Sequence, residues 1–179
     1  MAPRAENDEH AGEQRPVVQI EVPWNAERPR VMVVACSDGR LQEATDEFLA
    51  RHLNIRHYDR LYLPGGGGAL SPSGRDYFRA HQVQQECRLL VDVHGVEQLV
   101  VLFHGPAADG PLEAICADYR RKFAWATTDQ VRSQQERDAH ELVVNRWKWA
   151  GSASMHIYRC EVNGAHGLSF ATLHADPLP

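Results

Sequence analysis

Three short apolar runs constrain this chain more than any other feature: VMVVA at 31–35, DRLYLP at 59–64 and EQLVVLFH at 97–104. The first is continuous rather than alternating, which marks a strand buried on both faces. Such a strand needs helices on either side of it, and the intervening segments supply them. LQEATDEFLARHL at 41–53 repeats Leu41, Ala44, Phe48, Leu49 and His52 at helical spacing. SPSGRDYFRAHQVQQECRLLVDVHG at 71–95 reads as a long helix, with Ser71 or Ser73 near its cap and Gly95 at its end. After the third run, GPAADGPLEAICADYRRKF opens as a loop and turns helical near Pro111, and a further helix covers about 128–149, capped by Thr127 or Thr128. The chain closes with SMHIYRCEVNGAHGLSFATLH, two alternating runs around NGAHG that predict a hairpin at the sheet edge. Three strand–helix units of this kind predict an α/β fold: a mostly parallel central β-sheet flanked by helices on both faces, with a C-terminal edge hairpin.

At 179 residues the chain has room for one domain with a full core. We place that domain at 30–179 and assign 1–29 to a tail and arm. Residues 1–16 are polar and expected to be disordered; 17–30, with Pro23 and Pro29, read as an extended lead-in. The tail has no apolar h-region, so neither a signal peptide nor an anchor is expected. No window approaches the ~18 apolar residues of a membrane span. A net charge of −5 without a basic stripe leaves nothing for a phosphate backbone, so nucleic acid is not an expected partner. Cytoplasmic residence and reduced thiols follow.

Four cysteines, Cys36, Cys87, Cys116 and Cys160, stand far apart with no CxxC, which argues against both a disulfide framework and a zinc finger. Ten histidines are present, but apart from His104 they form no HxH or HExxH pattern, and His52, His156, His166 and His174 read as surface or structural. In open parallel sheets, ligands bind beyond the carboxyl ends of the strands. Here the first strand ends at Cys36, the second at the glycine run Gly65, Gly66, Gly67 and Gly68, and the third at His104. Neighbouring strands would bring these three features to one edge.

CSDGR at 36–40 resembles the cysteine-x-aspartate-x-arginine signature of the β-class carbonic anhydrases, and His104 stands where that family places its second zinc ligand. In the family a cysteine and glycine follow that histidine closely, whereas Ala107 occupies the cysteine's place here. The next cysteine is Cys116, in CADYRRK, similar to a cysteine-small-x-tyrosine-basic run of carbonic anhydrase-like proteins. The resemblance therefore implies an insertion, GPAADGPLE, and a zinc triad of Cys36, His104 and Cys116. LPGGGG at 63–68 resembles the family's glycine-rich segment, so Gly65, Gly66 and Gly67 are expected to cradle a small anion such as bicarbonate through their N–H groups. The implied activity is reversible hydration of carbon dioxide to bicarbonate by a zinc-bound hydroxide. Two thiolates and an imidazole suit Zn2+ and leave a fourth position open. Asp38 would orient the attacking water, and Arg40 would hold Asp38 off the metal in a bidentate pair. The family builds its pocket at a subunit interface with a crossing N-terminal arm, which implies a homodimer or higher homo-oligomer and a role for 17–30.

Plainer readings stand beside these. Cys36 suits a strand-end thiol, Asp38 a helix cap, and LPGGGG a turn. Cys116 shares a helical pattern with Leu112, Ile115, Tyr119 and Phe123 and suits a core position. A fold relative without catalysis, or a zinc hydrolase of carbonyl sulfide or carbon disulfide, fits the same residues. A nucleotide-binding domain does not, because GxxxxGK[ST] is missing.

Overall fold

The computed structural model describes residues 18–74 and 76–177; the expected disorder of 1–16 lies outside them. Five strands form one sheet in the order β2-β1-β3-β4-β5. They are β1 (Val31–Cys36), β2 (Asp59–Leu63), β3 (Gln98–Pro106), β4 (Ser154–Val162) and β5 (Leu168–Ala175). β2, β1, β3 and β4 run parallel, and β5 turns back antiparallel to β4 at the edge. The predicted architecture is the one observed. Among the described residues, no helix is long and apolar enough to cross a membrane.

The continuity of the apolar runs reflects burial on two faces. Met32 and Val34 of β1 point into one core with Leu99, Val101 and Phe103 of β3; Val33 and Ala35 point into the other with Val100 and Leu102. The first core is covered by α2 (Gly67–Leu70), α3 (Tyr77–His94), α4 (Ala117–Lys122) and α5 (Thr128–Val144) through Leu70, Val83, Cys87, Tyr119, Val131 and Leu142. The second is covered by α1 (Gln42–Glu47) and the π-helical turn after it, through Phe48 and Leu49, with Phe170 of β5 stacked on Phe48 at 3.9 Å between ring centroids.

Boundaries differ from expectation where local chemistry intervenes. The long helix starts at Tyr77, not at Ser71 or Ser73, because Ser71 ends α2 and the Asp76 carboxylate is drawn to Arg121 rather than to the helix N-terminus. Gly95 ends it as predicted, in the left-handed conformation (φ 66°) with its N–H on Val91 O. Thr127 caps α5 in a reciprocal pair with Gln130. That helix stops at Val144, and the residues up to Trp149 form a 3₁₀ turn. The helix expected near Pro111 begins only at Ala117, after a 3₁₀ turn at Leu112–Ala114.

Candidate metal centre

β1 and β3 are neighbours in parallel register, so Cys36 and His104 emerge at the same edge of the sheet. Cys116 joins them from the start of α4. It is the residue before the helix, in extended conformation (φ −51°, ψ 132°), and not mid-helix as its spacing suggested, though it is buried against the first core as that spacing also implied. One ligand atom from each of the three residues lies within 4.8 Å of the other two. His104 and Cys116 are buried and Cys36 is half-buried.

The donors fit a zinc ion. Zn–S bonds are about 2.3 Å and Zn–N bonds about 2.0 Å, so donors sharing one ion sit within about 4.6 Å of one another, close to the spread seen. His104 Nε2 is buried and meets no hydrogen-bond partner among the described residues, a costly state for an imidazole nitrogen with nothing to bind. The two thiols are also electrostatically coupled. The Cys116 thiol, then the His104 imidazole, favour a thiolate on Cys36 and pull its pKa well down against burial, while the same contact pushes Cys116 up. A divalent cation would supply the positive charge that a thiolate on both sulfurs needs.

The surrounding shell is built around glycines and a buried carboxylate. Gly65 donates its N–H to Cys36 Sγ at 3.4 Å. Gly66 N–H closes a turn on Leu63 O, and Gly68 N–H one on Gly65 O. Two of the three N–H groups expected to cradle an anion are thus engaged with the site sulfur and the turn. What the run does require is glycine: a Cβ on Gly66, at φ +51°, would lie 2.6 Å from Cys36 N and 2.7 Å from Leu102 O. Asp118 fills the space under Gly65, 2.9 Å from where a Cβ there would be. Its carboxylate, 2% exposed, meets Arg79 at 2.7 Å, Arg121 at 3.0 Å and Lys122 at 3.3 Å. Gln135 Nε2 donates to His104 O at 2.9 Å and holds that strand end from α5.

Asp38 and Arg40 form the expected pair. Arg40 Nε lies 3.0 Å from Asp38 Oδ1, and the terminal NH2 lies 2.6 Å from Oδ2. The guanidinium holds the Asp38 carboxyl down to about 2. Asp38 also caps the next turn through Arg40 N–H, so the cap and ion-pair readings hold together. Both residues line a cavity of about 400 Å³ with His104, which the inserted segment walls with Pro111 and Glu113, and the hairpin with His166 and Leu168. Sequence reasoning missed Asp118, Arg79, Gln135, Glu113 and His166. Only CADYRRK, with its acid set among bases, carried a trace of the Asp118 cluster; the others are brought in by tertiary placement.

Residues 26–144 match the model of the family described as "Putative carbonic anhydrase". Among solved structures, the β-carbonic anhydrase isoform I of Trichomonas vaginalis aligns over 88% of this chain and 88% of its own, at 14% identity and a TM-score of 0.42. The β-carbonic anhydrase CafA of Aspergillus fumigatus aligns over 84% of this chain and 78% of its own, at 15% identity and a TM-score of 0.41. No curated protein matches the sequence. The family match spans well over half of the chain and includes all three candidate ligands and the Asp38–Arg40 pair, and this chain belongs to that carbonic anhydrase family.

Proposed function

We propose that the protein is a zinc-dependent lyase of the carbonic anhydrase type, which hydrates carbon dioxide reversibly to bicarbonate. The observation that carries this reading is the meeting of Cys36, His104 and Cys116, with a buried imidazole nitrogen left unpaired, beside the Asp38–Arg40 pair. Zinc held by these three residues would supply a water whose pKa is lowered from about 15.7 to near 7, a nucleophile for carbon dioxide. The rest is done by the chain. Asp38 accepts a hydrogen bond from the attacking water and aims its lone pair at the substrate. Arg40 occupies both oxygens of Asp38 and keeps the carboxylate out of the ligand set. Gly65 stabilises the Cys36 thiolate through its N–H. Leu41, Pro111, Ala114, Val162 and Leu168 give the cavity an apolar lining suited to a small apolar gas.

The same reading assigns the protein a cytoplasmic, thiol-reducing location, where both sulfur ligands stay available, and a homodimeric state. Val18, Ile20, Val22 and Trp24 alternate along the arm and are all at least 74% exposed, a pattern that suits burial against a second copy of the chain. Elemental analysis of untagged protein followed by a stopped-flow hydration assay tests the function. About one zinc per chain with hydration activity supports it. Zinc without hydration would favour another small substrate, and no zinc after reconstitution would leave a non-catalytic relative.

A further inference from the structure

Hydration takes in a neutral gas and releases an anion, so a fixed charge on the cavity wall acts on the product and leaves the substrate untouched. The ionisable residues lining the cavity beside the candidate centre are Asp38, Arg40, His104, Glu113 and His166. Asp38 and Arg40 cancel each other in their ion pair. His104 is a candidate ligand, and His166 bears a charge only when protonated. Glu113 remains: an exposed carboxylate that pairs with no cation among the described residues.

The segment between His104 and Cys116 fixes where that charge stands. Its first half is fastened to the end of β4 and the turn beyond: Ala107 N–H donates to Val162 O at 2.8 Å, and Asp109 Oδ2 accepts from Gly164 N at 3.4 Å. Gly110 is pressed so closely there that a Cβ would lie 2.1 Å from Val162 O. Glu113 then sits in the 3₁₀ turn Leu112–Ala114, closed by Ala114 N–H on Pro111 O and Ile115 N–H on Leu112 O, both at 3.0 Å. Arg120 of α4 also donates to Leu112 O. Glu113 stands three residues before Cys116, so their Cα atoms are at most about 11 Å apart, close to one Debye length at about 0.1 M salt. The carboxylate is thus tethered within electrostatic reach of the candidate centre.

We infer that Glu113 is the anion-repelling residue of this site: its carboxylate weakens the hold of the cavity on bicarbonate and other small anions, while neutral carbon dioxide enters unopposed. The inference rests on the carbonic anhydrase reading. No bond forms or breaks at Glu113, which acts through its charge alone. A residue cannot shift the overall equilibrium between the gas and bicarbonate. What Glu113 sets is how long the anion stays and how readily foreign anions compete for its place.

Glu113→Gln removes the charge and keeps the shape, and Glu113→Lys reverses the charge. Both are compared with the wild type after cobalt replaces zinc, because the visible bands of cobalt shift when a small ligand reaches it. Thiocyanate serves as the anion and triazole as a neutral ligand. With metal content unchanged, thiocyanate and bicarbonate should bind about 3-fold more tightly to Glu113→Gln at low ionic strength, and more tightly again to Glu113→Lys. Triazole affinity should stay constant, and the differences in thiocyanate affinity should shrink as salt is raised. Equal thiocyanate affinities in the three proteins, or triazole affinities that move with them, would overturn the role of Glu113 while leaving the function intact. A zinc-loaded wild type without hydration activity would overturn both.

Discussion

Cys36, His104 and Cys116 should each be needed for metal, and the other two cysteines should not. Cys36→Ser, His104→Ala and Cys116→Ser are expected to lose bound zinc by elemental analysis. Cys87→Ser and Cys160→Ser should retain it: neither sulfur is among the three clustered donors, although Cys160 stands beside His104 on the next strand, and burial pushes the pKa of both up to about 12. Asp38→Asn removes an orienting carboxylate and no ligand; full zinc content with a loss of hydration activity of about 10²-fold is expected. Retained activity would remove Asp38 from the chemistry. Gly66→Ala should cost about 3 kcal/mol in denaturant midpoint measurements, because a methyl there meets two backbone atoms that cannot retreat. At this scale the sequence was informative wherever chemistry is local: Cys36, Asp38 and Arg40 lie within five residues and their pairing follows from that spacing. It was silent on Gln135, whose hydrogen bond to His104 O joins residues 31 positions apart.

Among the elements, α4 matters most to the site although it spans only six residues. Its first turn carries Asp118, and the three cations around that carboxylate fix the approach of Cys116. Asp118→Asn should destabilise the protein by about 3 kcal/mol in chemical denaturation, since it leaves buried Lys122 without its charge partner. Zinc affinity should fall with it. Strands and their order were readable because apolar runs and hairpin chemistry are short-range signals. The start of α4 was not: the spacing of Leu112, Ile115, Tyr119 and Phe123 mimics one continuous helix, yet Ile115 and Cys116 are extended (ψ 125° and 132°) and break it between its two apolar pairs. The break is what turns Cys116 toward the sheet edge. Trp125 and Trp147 are 95% and 67% exposed, whereas Trp149 is in the core.

For the molecule as a whole, acid should be the sensitive direction. Arg40 holds Asp38, and Arg121 holds Asp76, below the ordinary carboxylate range. Groups depressed in the folded state contribute stability that is complete above their unfolded pKa of about 3.9 and is lost as pH falls through the folded value. Denaturant midpoints of the metal-free protein should therefore hold steady down to about pH 5 and decline below about pH 4. Replacing Val18, Ile20 and Val22 by serine should shift sedimentation toward a single chain if the arm joins two copies. The three candidate ligands also differ in how they are held. Cys36 and His104 belong to hydrogen-bonded strands inside the sheet, whereas Cys116 hangs from a braced loop. Metal exchange should then proceed through the loop: a chelator would strip the ion no faster than Cys116 swings away, so the insertion sets the residence time of the metal even where it leaves the affinity unchanged.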